Sequence, residues 1–197
     1  MQITKIEMMD KHKCRVYLND EPAFWLYHSE AEELHLREGM DFSSQRQAEI
    51  EENVLKKRAR LQCMTLLQQM DRTEQQLRQR MRQKEYPENV IDDALTYVKS
   101  YRYVDDLRYA QNYIRSRAES KSRQQITMDL LIRGVKKDQI DRAWQLADPI
   151  DEIAQILRWA EKKSFHPDTA DVKETQKFYQ FLLRKGFSFS NIKKALT

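Results

Sequence analysis

Along most of this 197-residue chain, apolar residues recur at spacings of three and four; only near the start do they recur at two. Ile3-Thr4-Lys5-Ile6-Glu7-Met8 alternates, and so does Cys14-Arg15-Val16-Tyr17-Leu18. Asn19-Asp20-Glu21-Pro22 then predicts a turn before the aromatic run Phe24-Trp25-Leu26-Tyr27. Two or three short strands are expected. Ser29 is placed to cap a short helix ending near Gly39, with Glu30, Glu32 and Glu33 in its first turn. From Arg46 no breaker occurs until Asp71, and Ile50, Val54, Leu61, Met64, Leu67 and Met70 keep a period near 3.6, which predicts one long helix.

The later chain is built on a repeat. Ser122 to Trp144 reads as helix, glycine turn, helix: Ser122 caps, Gln125 completes a capping box, Ile126 and Leu130 share a face, Gly134 ends the helix, and Ile140, Ala143 and Trp144 mark the second stripe. The same pattern recurs 49 residues earlier about Glu85 and 52 residues later about Gly186. Leu77, Ile126 and Phe178 correspond, as do Met81, Leu130 and Leu182; Lys84, Arg133 and Lys185; Tyr86, Val135 and Phe187; Ile91, Ile140 and Ile192; Ala94, Ala143 and Ala195. A further helix precedes each hairpin: the end of the long helix, then Asp105 to Arg117, then Asp148-Pro149 to about Lys163, with Asp105 and Asp148 as caps. The expected fold is therefore mainly α: three tandem three-helix modules forming a bent elongated array, behind a small strand-containing amino-terminal part. The expected boundaries are 1–45, 46–103, 104–147 and 148–197.

Composition fits a row of small units with much surface. Charged residues make up 34 % against a usual ~25 %, and mean hydropathy is −0.86. Gly39, Gly134 and Gly186 are the only glycines, too few and too scattered for a phosphate loop. Residues 1–45 hold 5 Lys+Arg against 9 Asp+Glu, and residues 46–197 hold 30 against 22, so the helical body is moderately basic. Cys14 and Cys63 lack any Cys-x-x-Cys spacing, and no signal or membrane-spanning stretch is legible, so a cytoplasmic setting is expected.

Candidate chemistry is sparse. Asp92-Asp93 and Asp105-Asp106 point about 100° apart on a helix and do not converge on a metal. His12, His28, His35 and His166 share no spacing with cysteines or paired acids. No catalytic residue, cofactor, metal or small-molecule substrate is expected. Glu85, in the place of a turn glycine, reads as a tolerated variant. Basic residues remain: Lys56, Lys57, Arg58 and Arg60 on the long helix; Arg108, Arg115, Arg117, Lys121 and Arg123 around the entry to the second hairpin; and Arg133, Lys136 and Lys137 at its turn. The eight residues of the second module are the candidate partner and nucleic-acid contacts. Three equivalent groove-reading heads are not expected, because Glu88, Asp92 and Asp93 on the first module's second helix repel phosphate.

Tyr103-Val104-Asp105-Asp106-Leu107-Arg108-Tyr109-Ala110, followed by Tyr113-Ile114-Arg115-Ser116-Arg117 and by Arg133-Gly134-Val135, resembles the central signature of the RecX regulatory proteins. Thr73 to Leu95 is similar to their preceding segment, and the resemblance spans roughly residues 50 to 196. The chain departs from the usual glycine at Ser122 and Glu85. The resemblance implies a cytoplasmic bacterial modulator that binds the RecA nucleoprotein filament and restrains its ATPase and strand exchange in recombination and the SOS response. It implies weak, nonspecific contact with single- or double-stranded DNA and no membrane association. The alternative is a stand-alone nonspecific nucleic-acid-binding module.

Overall fold

The computed structural model describes residues 1–197, which separate into two compact units, Met1–Val104 and Asp105–Thr197. In the first unit, β1 (Ile3–Met8), β2 (Lys13–Leu18) and β3 (Glu21–Tyr27) form an antiparallel sheet in the order β1-β2-β3. Asn19 and Asp20, both at positive φ, make the two-residue turn that joins β2 to β3. Glu21 and Pro22, expected in the turn, instead lie inside β3. The register sets Cys14 opposite Leu26 and Val16 opposite Phe24, which gives one apolar face; Arg15 opposite Trp25 marks the other face.

Helix α1 (His28–Glu33) starts at His28, ahead of the predicted Ser29 cap, and the Glu30 carboxylate accepts from the Tyr27 amide at 2.8 Å. The long helix is present as α2 (Ser44–Ile50), a π-helical segment (Glu51–Lys56) and α3 (Lys57–Gln69). Its buried line is Ile50, Leu55, Ala59 and Cys63. The step of five from Ile50 to Leu55 falls in the π segment, whose hydrogen bonds also span five residues. After this step the inward stripe has rotated, so Leu61 and Met70, predicted as core, face solvent. Helices α4 (Glu74–Gln83) and α5 (Glu88–Ser100) close the first module on Leu77, Met81, Val90, Ile91, Leu95 and Val98. Each such side chain contributes about 1.5–3 kcal/mol by leaving water.

The Glu85 turn between α4 and α5 is where the sheet docks. Glu85 has φ +58, and its carboxylate pairs with Arg15 at 2.6 Å. The Trp25 indole donates to the Lys84 carbonyl at 2.8 Å, so the second face of the sheet satisfies an end carbonyl of α4. Arg58 locks this contact: its guanidinium lies 3.7 Å from the Trp25 ring centre and donates to Glu30 at 2.5 Å and to the Trp25 carbonyl at 2.9 Å. The glutamate that reads in sequence as a mere turn variant thus carries an interaction.

The second unit holds two three-helix modules. Helices α6 (Asp106–Arg117), α7 (Arg123–Ile132) and α8 (Lys137–Leu146) enclose Ala110, Ile114, Ile126, Leu130, Val135, Ile140, Ala143 and Trp144. Asp105 and Ser122 cap α6 and α7 as predicted, accepting from Arg108 and Gln125 amides at 2.9 and 3.2 Å. Helices α9 (Glu152–Lys162), α10 (Val172–Arg184) and α11 (Phe189–Leu196) enclose Ile156, Ala160, Phe178, Leu182, Phe187 and Ile192. The cap of α9 is Asp151, three residues beyond the predicted Asp148, and Pro149 stays outside the helix. Ser122 also joins the two modules: its hydroxyl donates to the Lys185 carbonyl at 2.7 Å, at the turn opened by Gly186. Gln155, buried on α9, donates to the Ala118 and Lys121 carbonyls.

Candidate functional site

The eight basic candidates of the second module do not form one patch. Arg108 and Arg115 stand seven residues apart on α6, two turns along one stripe, and both side chains are exposed. Arg117 falls about 180° away from Arg108 around the same helix. There it lies 5.7 Å from the Tyr113 ring, while Arg133 covers that ring at 4.9 Å. Tyr113 donates to Asp129 of α7 at 2.8 Å, and Lys121 pairs with the same carboxylate oxygen. Burial pushes the Asp129 carboxyl up, but hydrogen bonds from Lys121 and Tyr113 outweigh it and hold the group below the ordinary aspartate value. Lys121 is raised in turn, chiefly by its hydrogen bond to Asp129.

Arg123 is turned toward the third module. Its guanidinium lies 4.7 Å from the Trp144 ring, and its amide donates to Glu152 at the start of α9. Lys136 stands at the N-cap position of α8 without a side-chain cap, Lys137 is the first residue of the helix, and both are exposed. Arg115, Lys136 and Lys137 carry no ion pair and are accessible to a partner, whereas Lys121, Arg133, Arg117 and Arg123 are engaged within the unit.

A feature outside the sequence-based expectations lies on α7. Met128, Leu131 and Ile132, spaced three and four apart, point outward, with Ile132 80 % exposed. Counted from the turn, the same positions hold Gln79, Arg82 and Gln83 in the first module, and Gln180, Leu183 and Arg184 in the third. The fold of a module therefore does not require an apolar edge here. The signal is present in the repeat itself, at positions where the three copies disagree.

On the first module, Lys56 pairs with Glu52, and Arg60 grips Asp93 through two hydrogen bonds of 2.7 and 2.8 Å. Asp93 is held below its ordinary range, first by the Arg60 hydrogen bond. Asp92 pairs with Arg78 at 2.7 Å, so the adjacent acids serve different cations. Cys14 and Cys63 are buried, and burial pushes the Cys63 thiol up to about 11. No group of three or more His, Cys, Asp or Glu is arranged to hold a metal ion, and no helix is long and apolar enough to cross a membrane.

Fold and site together define a helical-repeat protein, three three-helix modules behind a small sheet, with its distinctive chemistry in outward-facing cations and an apolar helix edge. Family profiles match at each module: RecX, first three-helix domain, over residues 59–97; RecX, second three-helix domain, over 105–143; and RecX, third three-helix domain, over 150–196. The chain belongs to the RecX family of regulatory proteins. It is 30 % identical over 200 residues to Regulatory protein RecX of Caldanaerobacter subterraneus, covering 100 % of this chain and 98 % of the relative. It is 29 % identical over 201 residues to Regulatory protein RecX of Clostridium botulinum, covering 98 % and 93 %. Among solved structures, a crystal structure of regulatory protein RecX matches with TM-score 0.68 and 24 % identity over 98 % of both chains. RecX from Lactobacillus salivarius matches with TM-score 0.64 and 20 % identity over 72 % of this chain and 94 % of that one. These two likenesses show the fold.

Proposed function

We propose that this protein is a non-enzymatic regulator that binds the filament RecA recombinase forms on DNA and restrains its ATP hydrolysis and strand exchange. The observation that carries the reading is the end-to-end similarity, through all three modules, to proteins named as regulatory protein RecX. On this reading the protein acts in the cytoplasm, in recombination, DNA repair and the SOS response.

The second module supplies the docking surface. An apolar helix edge of Met128, Leu131 and Ile132 is the kind of surface that a protein partner covers. Arg108, Arg115, Lys136 and Lys137 add polar contacts around it, and Arg117, Lys121, Arg123 and Arg133 hold the helices that present it. Several weak contacts of this kind, repeated along a polymer, raise affinity without a deep pocket. Modest positive charge favours docking close to filament DNA.

Two sets of substitutions test the site against inhibition of RecA strand exchange. Reversing the charge of Arg108, Arg115, Lys136 and Lys137 together is expected to abolish inhibition. Changing Met128, Leu131 and Ile132 together to Ser is expected to weaken it at least tenfold. Exposed sites such as these alter stability by only about 0.5 kcal/mol each, so thermal unfolding distinguishes a weakened interface from an unfolded protein. Full inhibition by both folded variants would show that the second module is not the docking surface.

A further inference from the structure

The second and third modules build the same constellation with one decisive difference. Aligning α6 with α9 on their buried residues, Ala110 and Ile114 with Ile156 and Ala160, sets Trp159 in the place of Tyr113 and Lys163 in that of Arg117. Aligning α7 with α10 on Gly134 and Gly186 sets Lys185 in the place of Arg133 and Phe181 in that of Asp129. In both modules cations lie over an aromatic ring. Lys185 is 5.1 Å from Trp159 and 5.7 Å from Phe181; Lys162 is 5.2 Å from Trp159; Lys163 is 5.3 Å from Phe181. The second module neutralises its cluster internally, through Asp129. The third module has a phenyl ring where that carboxylate would be, and none of Lys162, Lys163, Lys177 and Lys185 makes an ion pair.

Beside these lysines the longer loop between α9 and α10 walls an open cavity of about 520 Å³. Its floor is Phe165, Phe178 and Phe181, with Phe165 stacked on Phe178 at 4.2 Å, and its rim carries Lys163 and Lys177. One acid, Glu174, also lines it, but its carboxylate accepts from the Asp171 amide at 3.3 Å as part of the α10 cap. His166 completes the titratable groups of the lining.

We propose that this face of the third module binds a short run of single-stranded polynucleotide. Its phosphates sit on Lys162, Lys163, Lys177 and Lys185, and one base enters the cavity against Phe165 and Phe181. Aromatic floors with a basic border hold unpaired bases without regard to sequence, because every base offers a π face. The cavity lies in the size range of small-ligand pockets, roughly 300–1,000 Å³. Lys162 and Lys185 lie outside the cavity, over Trp159, so the charged track continues past one nucleotide; this favours a strand over a free mononucleotide. An acidic protein segment would use the lysines and leave the rings idle.

The test is fluorescence anisotropy of a labelled oligo(dT) titrated with the full-length protein, without RecA. The intact protein is expected to bind with a steep salt dependence. Lys163→Ala with Lys177→Ala should weaken binding at least tenfold and make the log–log salt slope shallower by about 1.4, at about 0.7 for each phosphate no longer neutralised. Phe181→Asp, which installs the second module's own carboxylate, should weaken it by a similar factor. Lys11→Ala with Arg37→Ala, exposed cations of the first unit, should change it less than twofold. Circular dichroism checks the fold of each variant, and the double lysine variant, altered only at exposed positions, carries the test if Phe181→Asp does not fold. Equal binding by the intact protein and the lysine variant, or equal affinity for a duplex of the same length, would overturn the proposal. Displacement by free dTMP at equal nucleotide concentration would overturn it in favour of a mononucleotide site. Weaker binding by the lysine variant but not by a folded Phe181→Asp would overturn it in favour of phosphate contact alone, with no base in the cavity. Because RecA is absent, failure here leaves the regulatory reading intact, and failure of that reading leaves this site to be judged alone.

Discussion

Gly186 answers two demands at once. Its φ of +80 is a left-handed turn, and a Cβ built there would stand 2.7 Å from the Ser122 hydroxyl that donates to Lys185. Gly39 has nearly the same φ, +79, with nothing within 4 Å. Alanine at Gly39 should therefore cost only the conformational strain, about 1–2 kcal/mol. Alanine at Gly186 should cost that strain plus about 1 kcal/mol for the displaced hydrogen bond, and urea unfolding of the two variants separates the cases. Asp93 provides a pH-dependent counterpart. Its folded-state carboxyl lies below the ordinary value because Arg60 holds it, so its contribution is complete above the unfolded aspartate value near 3.9 and is lost as pH falls through the lower folded value. Asp93→Asn should destabilise by about 1 kcal/mol near pH 6, allowing for solvent screening of a partly exposed pair. The deficit should shrink as urea midpoints are measured below about pH 4.

Among the elements, the hairpins were legible from residue order alone because each carries its own punctuation: a Thr, Ser or Asp cap, a left-handed turn, and apolar residues at fixed offsets. Ser122, Gly134, Ile140 and Trp144 all take their expected places. The long helix was legible in extent but not in facing, since no residue type announces a π segment; the π segment packs against α5, and its step from Ile50 to Leu55 keeps both residues in the core. The start of α9 was misplaced because Asp148-Pro149 and Asp151-Glu152 are both reasonable beginnings. The basic cluster was legible as composition only, because its division into engaged and outward groups depends on where α7 places Asp129. The sheet's attachment was hidden for a similar reason: Arg15, Trp25, Arg58 and Glu85 are far apart in sequence. Arg58→Ala should destabilise the first unit by about 2–4 kcal/mol, since it strips a cation from the Trp25 ring and leaves Glu30 and a carbonyl without their partner. Arg58→Lys should recover only part of this, because a point charge does not replace a planar fork. Chemical denaturation followed by Trp fluorescence reads both variants.

At the scale of the whole molecule, the threefold repeat is its own control. Most positions where the copies agree are the buried ones that make a module, the basic Lys84, Arg133 and Lys185 excepted; positions where they differ distinguish the modules. The second copy exposes Met128, Leu131 and Ile132, the third exchanges Asp129 for Phe181, and the first exchanges glycine for Glu85 and receives the sheet. The division of labour we propose is attachment, protein contact and nucleic-acid contact. We propose that the assembled chain restrains a RecA filament, and the decisive measurement is the ATPase rate of RecA on single-stranded DNA while this protein is titrated in. The rate is expected to fall progressively to a low plateau; a rate unchanged at every ratio of the two proteins would rule out the regulatory role.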